Sequence, residues 1–146
     1  MYAHVLISMD GSELAGKAVQ HGVAFAKAIG AKITVMTVVP PFHTIMSRPW
    51  LIENTSAQYE ARMQEHAEKI LNAAAHAAQE AGVVCEAIHV EHEHPYQAII
   101  DAAESRDCDL IIMASHGHRG ISALVLGSET VKVLTHTKIP VLVHRV

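Results

Sequence analysis

The chain has 146 residues, half of them hydrophobic and 18% charged, with a formal net charge of −4. That length suits one domain over residues 1–146 with its own core, and the apolar content excludes a disordered chain. The negative balance offers no basic face for nucleic acid, and no apolar run approaches the ~20 residues of a membrane span.

Val5-Leu6-Ile7 opens a short apolar strand that stops at Asp10-Gly11-Ser12. Ser12 suits a helix N-cap. Ala15, Ala18, Val19, Gly22, Phe25, Ala26 and Ile29 then recur at intervals of three and four, which describes one helix face ending at Gly30. Ile33 to Val39 is a β-branched run closed by Pro40-Pro41, a second strand. Residues 40–54 hold three prolines and the only tryptophan, Trp50, and read as a flexible loop. Thr55 and Gln58 fit a capping box. Tyr59, Met63, Ala67, Ile70, Ala74, Ala77 and Ala81 form the stripe of a long helix ending at Gly82.

Val83 to Val90 predicts a third strand, and Pro95 suits the first turn of a helix over about 95–105. Leu110 to Met113 predicts the fourth strand, Ser128 caps a helix to about Thr135, and Ile139 to Val143 predicts the fifth. Strands separated by helices imply an α/β fold, a parallel sheet with helices on both faces. The apolar strands fit burial on both sides.

The start, Met1-Tyr2-Ala3-His4, lacks the basic and apolar regions of a signal peptide. Cys85 and Cys108 lack a C-x-x-C spacing and read as free, packed thiols. The expectation is a cytoplasmic protein. His89-Val90-Glu91-His92-Glu93-His94 offers metal-ligating side chains, but a solvated strand end is the simpler reading.

The segment with most chemistry follows the fourth strand: Met113-Ala114-Ser115-His116-Gly117-His118-Arg119-Gly120, then Leu126-Gly127-Ser128. Glycines let backbone approach a phosphate, and unpaired N–H groups at a helix start favour negative charge. Nine residues separate Gly117 from Gly127. No G-K-[ST] follows a glycine loop, so this is no P-loop.

Ala114, Gly117 and Gly127-Ser128 resemble the nucleotide-binding loop of the universal stress protein family, written G-x2-G-x9-G-(S/T), with Ala114 in place of the first glycine. The resemblance runs from the Asp10 strand to Pro140-Val141-Leu142-Val143. It implies a five-stranded sheet of order 3-2-1-4-5, an adenine nucleotide alpha hydrolase-like fold. That order sets the Asp10 loop and the glycine loop at one crevice, where such sheets bind ligands.

By the resemblance, Asp10 at the end of the first strand lies against the adenosine part or a bound metal, and Ser8 and Met9 before it belong to the nucleotide-binding set. Val38 and Met113 line the adenine pocket. Ala114, His116 and Gly117 face ribose and the first phosphates, with Gly120 in the same loop. Gly127, Ser128, Glu129 and Thr130 wrap the outer phosphates. The Ser128 and Thr130 hydroxyls are extra donors, whereas the Glu129 carboxylate has to turn away. Ala114 costs little if it merely ends a strand, and about 1 kcal/mol if it needs positive φ.

The implied ligand is ATP or AMP, with Mg or Mn accompanying the phosphates, in a regulatory stress-response protein that forms a homodimer through its last strand. Two other readings stay open. One is a slow ATPase, for which no clear general base is visible. The other is an interaction protein that binds no nucleotide, which Ala114 and Glu129 favour.

Overall fold

The computed structural model describes residues 1–41, 56–116 and 125–145. Its elements in chain order are β1 (His4–Ser8), α1 (Glu13–Ile29), β2 (Lys32–Val39), α2 (Ser56–Ala81), β3 (Cys85–Glu91), α3 (Pro95–Ser105), β4 (Leu110–Ala114), α4 (Ser128–His136) and β5 (Val141–His144). Thr55, Trp50 and nearly all of the 40–54 loop lie outside the described residues, as do Gly117 and Gly120. Among the described residues no helix is long and apolar enough to cross a membrane.

The helix ends follow local chemistry. Ser12 Oγ accepts from the Ala15 N–H at 3.2 Å and caps α1. Gly30 closes α1 in the left-handed region at φ 71°, and Gly82 follows α2 at φ 75°. Pro95 opens α3, where its missing N–H is harmless. One expectation needs correction. Ser128 does not cap α4 but is its first residue; Gly127 holds the cap position, with φ −61° and ψ 154°.

The five strands are all parallel, in the order β3-β2-β1-β4-β5, as anticipated. Alternation along the strands feeds two cores. Val5, Ile7, Ile33, Val35, Leu110 and Ile112 pack under α1 and α2. Leu6, Met36, Ile111 and Met113 pack under α3 and α4. Each such side chain contributes about 1.5–3 kcal/mol on burial. The expectation of burial on both faces holds for β1 and β4 but not for β3, which is an edge strand with four of its seven residues exposed.

Candidate functional site

The site is assembled where β1, β2 and β4 end. Ser8 pairs with Met36 as the last β1–β2 register position. The Met9 N–H then donates to the Met36 carbonyl at 2.9 Å, and the Met9 side chain is buried in the core below α1. Asp10 follows at the surface. Its Oδ1 accepts from the Ser12 N–H at 2.9 Å, and Gly11 takes φ 83° to make the turn. Asp10 is thus held at the mouth of the crevice beside the start of α1.

β2 runs further than β1. Along a strand, successive residues direct their peptide groups to opposite neighbours. Met36 faces β1 through its carbonyl, whereas the Val39 carbonyl accepts from the His92 N–H beyond β3 at 3.1 Å. Val38 therefore aims its N–H and C=O toward β1, two residues past the last β1–β2 pair. Among the described residues this leaves one donor and one acceptor side by side beyond the ladder.

Next to them is a cleft of about 180 Å³ whose lining includes Asp10, Thr37, Val38, Met63, His66 and Ile70. It is smaller than the roughly 300–1,000 Å³ that encloses a whole small molecule. It has room for one flat portion of a ligand rather than a whole one.

The β4 exit meets the start of α4 at close quarters. The Gly127 N–H donates to the Ser115 carbonyl at 2.6 Å. A Cβ on Gly127 would stand 3.1 Å from His116 Cα, so only glycine sits there without displacing backbone. His116 is thereby held against the start of α4, with its Nδ1 3.2 Å from Ser115 Oγ. In the first turn of α4, the amides of Ser128, Glu129 and Thr130 have no carbonyl four residues earlier within the helix. They carry the positive end of its dipole.

Two side chains there have other work. Thr130 is 3% exposed, and its hydroxyl donates to the Ala114 carbonyl at 2.9 Å. It is a bolt between α4 and β4, which corrects the expectation of a free donor. The Glu129 carboxylate is engaged by α3. One carboxylate oxygen accepts from the Tyr96 N–H at 2.8 Å, in the first turn of α3.

Ala114 remains within β4, and its methyl packs with Leu14 and Ala18 of α1. Among the described residues only Asp107 is a non-glycine with positive φ. The alanine therefore costs no backbone strain. Of the residues anticipated from sequence, Asp10 and Val38 share the cleft. Ala114, His116, Gly127, Ser128, Glu129 and Thr130 gather at the β4 exit. Met113 instead packs at 6% exposure in the core under α3 and α4, and the described lining of the cleft does not include it.

Thr37, His66 and Ile70 were not anticipated as lining residues. Met63, His66, Ala67 and Ile70 share a helix face, which the sequence shows as spacing but not as a cleft wall. Among the described residues no three His, Cys, Asp or Glu side chains converge as a metal cage. Cys108 is buried, and burial pushes its thiol up to about 11.

Residues 1–145 match the model of the universal stress protein family. The chain belongs to that family. A universal stress protein of Thermus aquaticus, described as lying in the QAH/OAS sulfhydrylase 3′ region, is 32% identical over 99% of this chain and 100% of its own length. The solved structure of the hypothetical protein MJ0577 superposes with a TM-score of 0.84 at 26% identity, covering 99% of this chain and 96% of that one.

A universal stress protein in complex with cAMP has a TM-score of 0.73 at 24% identity, covering 97% of this chain and 96% of the other. More distant members of the fold were solved with dAMP (Archaeoglobus fulgidus, TM-score 0.70, 17% identity) and with AMP (Arabidopsis thaliana, TM-score 0.68, 16% identity). These cover 97% of this chain, and 97% and 90% of their own.

Proposed function

We propose that this chain is an adenine-nucleotide-binding regulatory protein of the stress response, which takes AMP or ATP at the carboxyl ends of β1, β2 and β4. The observation that carries the reading is the convergence of the β4 exit and the α4 start, seen in the 2.6 Å bond from the Gly127 N–H to the Ser115 carbonyl. On this reading the first-turn amides are the donors for a phosphate chain leaving the Val38 cleft. The donor and acceptor of Val38 match the N1 and N6 edge of adenine and oppose that of guanine. The nucleotide complexes of relatives support the same choice.

Each charge-assisted hydrogen bond contributes about 1.5–3 kcal/mol, and micromolar affinity needs about 8 kcal/mol. Three or four amide contacts therefore supply much of it. Ser8, Met9, Gly117 and Gly120 complete the proposed contact set. A Mg or Mn ion accompanying the phosphates would find its protein oxygen ligand in Asp10, with phosphate and water oxygens supplying the rest.

The same reading includes a homodimer through β5. That strand is a sheet edge, and Leu142 on it is 37% exposed, while Val131 and Leu134 on α4 are 45% and 42% exposed. Native mass spectrometry of unheated protein tests both parts. The expected species is a dimer carrying one adenine nucleotide per chain. A protein that neither copurifies with AMP, ADP or ATP nor takes them up at millimolar concentration refutes the site.

A further inference from the structure

We propose that Glu129 sets the charge selectivity of this site, holding down affinity for triphosphates relative to monophosphates. The inference rests on the nucleotide reading above. It starts from a conflict visible on α4. The first-turn amides carry a positive partial charge that would attract a phosphate, yet the second residue of that turn is a carboxylate, which the same charge favours and which competes with that phosphate.

The structure shows how the conflict is contained. One carboxylate oxygen accepts from the Tyr96 N–H at 2.8 Å, and the other lies 3.5 Å from Lys132 Nζ. Lys132 Nζ itself sits 5.6 Å from the centre of the Tyr96 ring. The carboxylate is thereby drawn to the start of α3.

Turning the group aside removes the steric obstacle but not the charge. Were the separation on the order of 7 Å, a carboxylate screened as in water would lower phosphate affinity roughly threefold per unit of phosphate charge. ATP carries about two more negative charges than AMP, and Lys132 offsets part of the field. The net bias against ATP is then about fivefold at low salt, shrinking once the Debye length falls to about 8 Å.

The test is calorimetric titration with AMP, ADP and ATP, without added divalent cation, at about 20 mM and about 300 mM salt. The proteins are wild type, Glu129→Gln and Glu129→Ala. Glutamine keeps an oxygen acceptor for the Tyr96 N–H while removing the charge. The expected result is an ATP-to-AMP affinity ratio about fivefold higher in Glu129→Gln, with the gain reduced at high salt. Glu129→Ala shows the same change in ratio together with a lower melting temperature of the ligand-free protein.

A purely structural Glu129 would weaken all three nucleotides alike, leaving the ratio unchanged. That outcome overturns the proposal while the nucleotide reading stands. Absence of binding by every variant and by wild type overturns both.

Discussion

Replacing Gly127 by alanine tests the contact on which the site is built. The backbone there has φ −61° and ψ 154°, which any residue adopts, so the penalty is not one of dihedral strain. It comes from space and from capping. The new Cβ would lie 3.1 Å from His116 Cα, 3.4 Å from the Ser115 carbonyl oxygen and 3.5 Å from His116 Cβ. These are mostly backbone neighbours, so α4 or the β4 exit has to shift by a few tenths of an ångström.

Such overpacking costs about 1–2 kcal/mol, and alanine is a poorer cap than glycine by about 1 kcal/mol. The stiffer unfolded chain offsets about 0.4–1 kcal/mol. The net loss is about 1–2 kcal/mol, or a melting temperature lower by about 3–7 °C. Gly127→Ser introduces the same Cβ but adds a hydroxyl able to accept from a first-turn N–H, and so recovers about 1 kcal/mol relative to alanine. Thermal and urea unfolding of the ligand-free proteins measure both steps. An alanine variant as stable as wild type would show that the β4 exit and the α4 start do not meet as described. In the nucleotide assay the alanine variant should lose at least about tenfold in affinity, since the shift moves the amides that face phosphate.

Thr130→Val keeps the shape of a buried side chain but strands the Ala114 carbonyl, which now accepts the Thr130 hydroxyl at 2.9 Å. The expected destabilisation is about 1–3 kcal/mol in urea unfolding, and a loss under ~0.5 kcal/mol would show that the bolt is idle. His4 governs part of the acid response. It is buried, with Nδ1 3.0 Å from the Arg106 carbonyl and Nε2 2.7 Å from Thr34 Oγ1, and burial followed by the Lys32 charge lowers its pKa below 6.5. The unfolded chain therefore takes up a proton first as pH falls. The stabilisation from neutral His4 is full above pH 6.5 and declines as pH drops through 6.5 toward the lower folded value. His144 shifts in the same direction, through burial and the nearby His21 and Lys17. His4→Gln should accordingly flatten only part of the decline in urea midpoint below pH 6.5, and an unaltered slope would remove His4 from the account.

The strands were legible because each is a compact apolar run between turn residues. Their order was not written in any one segment. It followed from requiring the Asp10 turn and the glycine loop to share a crevice, and from the family resemblance. The cap of α4 was displaced by one residue, since Gly127 and Ser128 are both good caps and pattern alone does not choose between them. The role of Thr130 was illegible because a hydroxyl near a helix start serves equally well toward phosphate or toward a neighbouring carbonyl. Tertiary packing decides which. Glu129 looked misplaced in sequence because its partner, the Tyr96 N–H, lies 33 residues away on another helix. Thr37 and His66 escaped notice for a similar reason, as a cleft wall exists only once α2 is laid over the end of β2.

The two ends of the sheet differ in how completely their polar groups are used. At the amino end, Asp109 accepts from the N–H groups of Ala3 and His4 at 2.9 and 3.0 Å, while His4 bonds Thr34 and Arg106. Burial pushes the Asp109 pKa up, but those amides outweigh it and hold the carboxyl low. At the carboxyl end, β1, β2, β3 and β4 are each followed by a helix, so positive helix ends gather there as a consequence of topology. The glycine segment then selects one position along an edge already favourable to anions. If stability and binding are divided between the ends in this way, the His4→Gln and Gly127→Ala effects on unfolding should add within about 0.5 kcal/mol. Only the second should change nucleotide affinity; a loss of affinity in His4→Gln would show that the two ends are coupled through β1.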